Sequence, residues 1–144
     1  MYFSFYGCSN LSGMTTNPPN IESIANHNFT DTNSRRFIGT FRNCNNLDFD
    51  IGSWDMSNVT NVITMFDGAT NFNNGGSPSI SGWTTSGFTS LGSMFLNASS
   101  FNQPLDGWDV SNVADAQGGL QLFRGATNFN NGGSPRIVTG KHTS

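Results

Sequence analysis

The sequence predicts an α/β solenoid: one domain over residues 1–144, in which each repeat of ~25–30 residues supplies a short parallel strand and a helical or 3-10 return. Three observations carry this reading. The segment GATNFNNGGSP occurs twice without change, at Gly68–Pro78 and Gly125–Pro135. Around it recurs a looser unit of two large apolar anchors flanking a small residue: Phe5/Cys8/Leu11, Phe41/Cys44/Leu47, Phe66/Ala69/Phe72, Phe95/Ala98/Phe101 and Phe123/Ala126/Phe129. Two apolar periodicities, one of two residues and one of three to four, alternate within each unit.

The first element of a unit alternates by two. Trp54 pairs with Met56, Trp83 with Thr85 and Trp108 with Val110, the pattern of a short strand with one buried face. Stacking would place Trp54, Trp83 and Trp108 in an interior column, with Ile24 in the first unit. Asn28, Asn58 and Asn112, interrupted by Gly87, would form an internal polar ladder. Ala25, Asp55, Thr84 and Asp109 point outward, with His27, Ser57, Ser86 and Ser111 after them.

The second element repeats by three and four. Val59, Val62, Met65/Phe66 and Ala69 share one face of a helix or of 3-10 turns, and Phe88, Leu91, Met94/Phe95 and Ala98 repeat the arrangement. Connectors from the second anchor to the next strand block run 10, 4, 8, 4 and 8 residues. Long and short alternate, so the deeper unit is a pair of repeats. The long connectors, TTNPPN and NNGGSP, carry turn formers and are expected to protrude as polar loops along one edge.

Composition narrows function. Only 10% of the residues are charged, against roughly 25% in a typical soluble domain. With a formal net charge of −3 and no basic patch, nucleic-acid binding is not expected. No apolar run approaches the ~20 residues of a membrane span, and residues 1–30 lack the basic start and apolar run of a signal peptide. The four Asn-x-Ser/Thr sequons, at Asn10, Asn28, Asn58 and Asn97, are what chance provides in so Asn-, Ser- and Thr-rich a chain.

The blocks FNQPLDGWDVSNV and WDMSNVTNV with the later MFDGATNF resemble a large surface-protein group: the leucine-rich-repeat-like repeats of BspA type and the related mycoplasma-lipoprotein repeat family of unknown function. The unit there reads W-D-V-S-N-V-T-N-M-x-x-M-F-x-x-A-x-x-F-N-x-x-[LI]. Trp54–Phe72 matches it nearly throughout, and Trp108–Val113 and Met94–Leu105 match it well. The resemblance covers about residues 37–135. Departures are Gly87 in place of the repeat's Asn, the lengthened ADAQGGLQL after Val113, and residues 21–41, which keep only the apolar skeleton. It implies a leucine-rich-repeat-like solenoid displayed on cell surfaces and used in adhesion. It brings no catalytic residue set.

Several residue groups are candidates for a site. The three Trp could stack on sugars, but their periodicity assigns them to the core. Cys8 and Cys44 sit where other units have Ala, so a small buried residue explains them better than a disulfide. Asp48, Asp50 and Asp55 could offer oxygen ligands to Ca²⁺, yet Asp48 and Asp50 have no counterparts in other units and no calcium loop is present. His27 and His142 lack a zinc motif. No nucleophile elbow, triad or phosphate loop is legible, and two His, one Glu and one Lys leave few actors for acid–base chemistry.

The expected protein is therefore not an enzyme and has no cofactor or metal. The candidate partner-binding residues are Asp55, Ser57, Thr84, Ser86, Asp109 and Ser111, facing a protein or glycan on a surface. An ice-binding surface would need a more regular ladder than this Ala, Asp and Thr mixture. The expected location is extracellular, on a cell or virion. The alternative is a virion structural component, such as a tail-fibre or capsid-decorating module; a carbohydrate-acting enzyme ranks below both. Met1–Phe5 aligns with Val62–Phe66, and Ile137 opens a unit that dissolves into VTGKHTS. Both ends thus call for cover, by homo- or hetero-oligomer contacts or by a longer chain.

Overall fold

The computed structural model describes residues 35–114 and 121–133. Four successive segments, centred on Phe41, Phe66, Phe95 and Phe123, lie side by side and parallel. The two strands β1 (Arg35–Arg36) and β2 (Val59–Asn61) begin this pairing, Arg35 opposite Val59 and Arg36 opposite Asn61 across an irregular step. An isolated parallel bridge continues it from Asn61 to Ser90.

The backbone hydrogen bonds explain how the segments hold together. In the second segment Val62, Thr64, Phe66 and Gly68 donate their N–H groups to the carbonyls of Ser90, Gly92, Met94 and Leu96 at 3.0, 3.0, 2.9 and 2.8 Å. The residues between them turn inward: Met65, Asp67 and Ala69 donate to Val62, Thr64 and Phe66 of the same segment at 3.1, 3.1 and 3.0 Å. Phe37, Gly39, Phe41 and Asn43 donate likewise to Asn61, Ile63, Met65 and Asp67. Alternate amides thus bond to the next segment and the rest close tight turns. These amides of buried segments find backbone acceptors without a regular helix or sheet.

Where a helical or 3-10 return is expected, the described segments form a run of turns closed three residues back rather than an α-helix. Two positions in each segment have left-handed backbone: Gly39, Thr64, Ser93 and Gln121 with φ of 60, 54, 56 and 58°, and Asn43, Gly68, Asn97 and Gly125 with φ of 59, 72, 57 and 75°. Left-handed residues at every fourth position preclude an α-helical ladder, whose φ is near −63°. Turns closed three residues back give the same apolar spacing as a helix. The strand also falls later than expected: β2 is Val59–Asn61, whereas Trp54–Met56 alternates buried, exposed, buried outside any named strand.

The core is a double column of phenylalanines. Phe41, Phe66, Phe95 and Phe123 stack along the segments at centroid spacings of 5.7, 5.6 and 5.8 Å. Phe72, Phe101 and Phe129 stack beside them, 5.9 Å apart. Within one segment the two columns meet face to face, 4.0 Å apart for Phe66–Phe72 and for Phe95–Phe101. Cys44, Ala69, Ala98 and Ala126 are buried between the anchors, and the Cys44 thiol donates to the Arg42 carbonyl at 3.9 Å. Cys8 lies outside the described residues. Trp54, Trp83 and Trp108 are buried too. The Trp83 and Trp108 rings stack at 5.8 Å, and their indole N–H groups donate to the carbonyls of Ile51 and Ile80, one segment earlier. Ile24, Asn28, Ala25, His27, His142 and the unit opened by Ile137 fall outside the described residues.

Candidate functional site

The exposed column grows from the tripeptide after each Trp. In W-D-x-S the Trp and the third residue face the core, which leaves Asp and Ser outside. Asp55, Ser57, Thr84, Ser86, Asp109 and Ser111 are all exposed, at equivalent positions on three successive segments. An Asp here accepts the N–H two residues on, closing a local turn. Asp55 Oδ1 accepts from Ser57 N at 3.0 Å and from Ser57 Oγ at 2.5 Å. Asp109 Oδ1 accepts from Ser111 N at 2.9 Å. The Ser111 hydroxyl, and after it the Ser111 N–H, holds the Asp109 carboxyl below its ordinary value.

The third segment has no acid here, and the staple beneath it is different. Thr85 is buried; its hydroxyl accepts from Asp109 N at 2.8 Å and donates to the Asp109 carbonyl at 3.1 Å. Asn112 Nδ2 donates to the Ser86 carbonyl at 2.7 Å. Asn112 does bond across segments as a ladder residue, yet both it and Asn58 are exposed rather than internal. The column therefore presents two carboxylates and four hydroxyls, with both carboxylates oriented by bonds to the serines two residues on. It can exchange hydrogen bonds with a polar ligand.

A second polar column, on the connector edge, lies outside the expected site. Asp48 Oδ1 accepts the N–H groups of Asn73 and Gly75 at 2.9 and 2.8 Å. Asn73 Oδ1 accepts from Asn102 N at 2.8 Å, and Asn102 Oδ1 accepts from Asn130 N and Gly132 N at 2.8 and 2.9 Å. Each side chain caps the backbone of the next segment. Asp48 thus has a counterpart after all in Asn102, so its carboxylate belongs to a cap rather than to a cation loop. The signal was present: a polar residue comes directly after the second anchor in Leu47–Asp48, Phe72–Asn73, Phe101–Asn102 and Phe129–Asn130.

The long connectors are likewise more than protruding loops. Asn74 and Asn131 are 0% and 2% exposed. Their Oδ1 atoms accept from Ile51 N at 2.8 Å and Leu105 N at 2.7 Å, while Asn74 Nδ2 donates to the Ser77 carbonyl and Ser79 Oγ. Asp50 braces the same connector, its Oδ1 accepting from Gly52 N at 2.8 Å and Ser79 Oγ at 2.5 Å. Partial burial pushes its carboxyl upward, but hydrogen bonds from Ser79, Gly52, Ser77 and Asn74 outweigh this and leave it below the ordinary value. Among the described residues no group of three or more His, Cys, Asp or Glu could hold a metal ion, and no helix is long and apolar enough to cross a membrane.

Nothing among the curated proteins or the solved structures matches the chain. One family model does, described as Mycoplasma protein of unknown function, DUF285, and it covers residues 35–136. That span takes in all four stacked segments and more than two thirds of the sequence, and the chain therefore belongs to the DUF285 family.

Proposed function

We propose that this protein is a non-enzymatic repeat module, displayed outside the cell or on a virion, that binds a protein or glycan in adhesion or structural interaction. Within its family we read it as a leucine-rich-repeat-like solenoid of BspA type. The observation that carries the binding reading is the exposed column of Asp55, Ser57, Thr84, Ser86, Asp109 and Ser111, whose carboxylates are already oriented by bonds to Ser57 and Ser111. Side chains fixed before binding lose less entropy on binding. With so few charges, recognition would rest on hydrogen bonding and shape rather than on long-range steering.

The test is binding to immobilised glycans and extracellular-matrix proteins, repeated with the Asp55→Asn/Asp109→Asn double variant. Asn keeps the turn-closing carbonyl oxygen and removes the charge, so the fold should survive. Binding by the parent chain that falls at least about tenfold in the variant, or a loss of about 1.4 kcal/mol, supports the reading. A parent chain that binds none of these surfaces, or a variant that binds equally well, overturns it.

A further inference from the structure

The sequence contains two Asn–Gly pairs, Asn74–Gly75 and Asn131–Gly132, both within the repeated NNGGSP connector. In an open chain this is the dipeptide most prone to deamidation, because Gly offers no side chain to hinder its own nitrogen. The Gly nitrogen attacks Cγ of the Asn side chain and forms a new C–N bond; the C–Nδ2 bond breaks, and Nδ2 leaves as ammonia with the proton the Gly nitrogen gave up. Water then opens the resulting succinimide at either carbonyl, yielding Asp or isoaspartate.

The fold requires both residues of each pair. The Asn amide is buried and serves three bonds at Asn74, to Ile51 N, Ser77 O and Ser79 Oγ. Gly75 and Gly132 have φ of 60°, and a Cβ on Gly75 would lie 3.1 Å from Asp50 N, one on Gly132 2.7 Å from a Pro104 carbon. A labile pair is thus built into the structure twice. In both copies the attacking nitrogen is occupied: Gly75 N–H donates to Asp48 Oδ1 at 2.8 Å and Gly132 N–H to Asn102 Oδ1 at 2.9 Å.

We propose that Asn74 and Asn131 are conditional deamidation sites, closed while the connector is folded and opened by its local unfolding, with Asn131 reacting first. The order is set by the caps. Reaction needs the Gly N–H to leave its cap, and the charge-assisted bond from Gly75 to the Asp48 carboxylate is stronger than the bond from Gly132 to the neutral Asn102 amide, so the connector at Asn74 opens less often. Reaction at Asn74 is also one-way for the fold. A carboxylate at that position cannot donate to Ser77 O or Ser79 Oγ, and isoaspartate adds a carbon to the backbone of a buried turn.

Peptide mapping by mass spectrometry, with Asp and isoaspartate resolved, tracks both sites in folded protein and in protein held unfolded in guanidinium at the same pH. Folded protein should react at least about a hundredfold more slowly, as expected where reaction needs local opening, with Asn131 ahead of Asn74. Asp48→Asn should speed Asn74 severalfold with Asn131 unchanged. The reciprocal Asn102→Asp should slow Asn131, a gain in protection that misfolding cannot produce. Equal rates in folded and unfolded protein, Asn74 reacting first, or no slowing in Asn102→Asp would each overturn the proposal.

Discussion

At the scale of single residues, carboxylates and amides in this protein do the work that helix caps do elsewhere: they satisfy the backbone N–H groups of a neighbouring segment. Asp50 ties this role to acid stability. Its bonds from Ser79 and Gly52 favour the ionised form strongly enough to overcome partial burial, so its folded value lies below the ordinary 3.8. A group depressed in this way stabilises the fold fully above its unfolded value, and that contribution is lost as pH falls through the folded one. Thermal midpoints should therefore decline as pH drops below about 4. Asp50→Asn should show a lower midpoint near neutrality and a shallower decline in acid, because the replaced group no longer takes up a proton. Parallel declines in both proteins would show that Asp50 is not among the groups responsible.

At the scale of one segment, the two left-handed positions are the feature that the residue pattern concealed. Val62, Met65/Phe66 and Ala69 keep helical spacing, and turns closed three residues back generate that same spacing; periodicity alone cannot separate them. The facing of side chains was nonetheless legible, since Trp54, Trp83 and Trp108 are buried and Asp55, Thr84 and Asp109 exposed. What could not be read locally were the cap partners, such as Asp48 for Gly75, which lie one segment away and depend on register. The N-N-G-G run reads as a loop for the same reason: its buried Asn finds its acceptor role only against Ile51. Asn and Gly alternate at the second left-handed position, and the contact between them is testable. A Cβ on Gly68 would lie 2.2 Å from Asn43 Oδ1, whereas one on Gly76, also left-handed, meets nothing within 4 Å. Gly76→Ala should cost about 1 kcal/mol from backbone strain alone, and Gly68→Ala about 3 kcal/mol once overpacking is added. In urea unfolding, Asn43→Gly should recover part of the Gly68→Ala loss and none of the Gly76→Ala loss.

At the scale of the whole molecule, the repeating unit is a pair of unlike segments. One carries Asn43 or Asn97 and a short connector; the next carries Gly68 or Gly125 and a long one with the buried Asn. Each short connector is completed by the long connector after it: Asp48 caps Gly75 and Asn102 caps Gly132, while Ile51 N and Leu105 N are satisfied by Asn74 and Asn131. Nearest-neighbour contacts dominate the stability of stacked repeats, so which segments are neighbours should matter more than how many remain. Joining Ser53 directly to Trp108 removes a whole pair and still sets Asn43 against Gly125 and Asp48 against Asn130 and Gly132. Joining Ser53 to Trp83 removes only one segment, but sets Asn43 against Asn97 and leaves Asp48 and Ile51 N facing a short connector that has no buried Asn. The shorter chain should therefore keep a cooperative urea transition and slowly exchanging amides at Phe41 and Asn43, while the longer one loses both. Retained protection in the single-segment deletion would mean that one segment, not the pair, is the unit of stability.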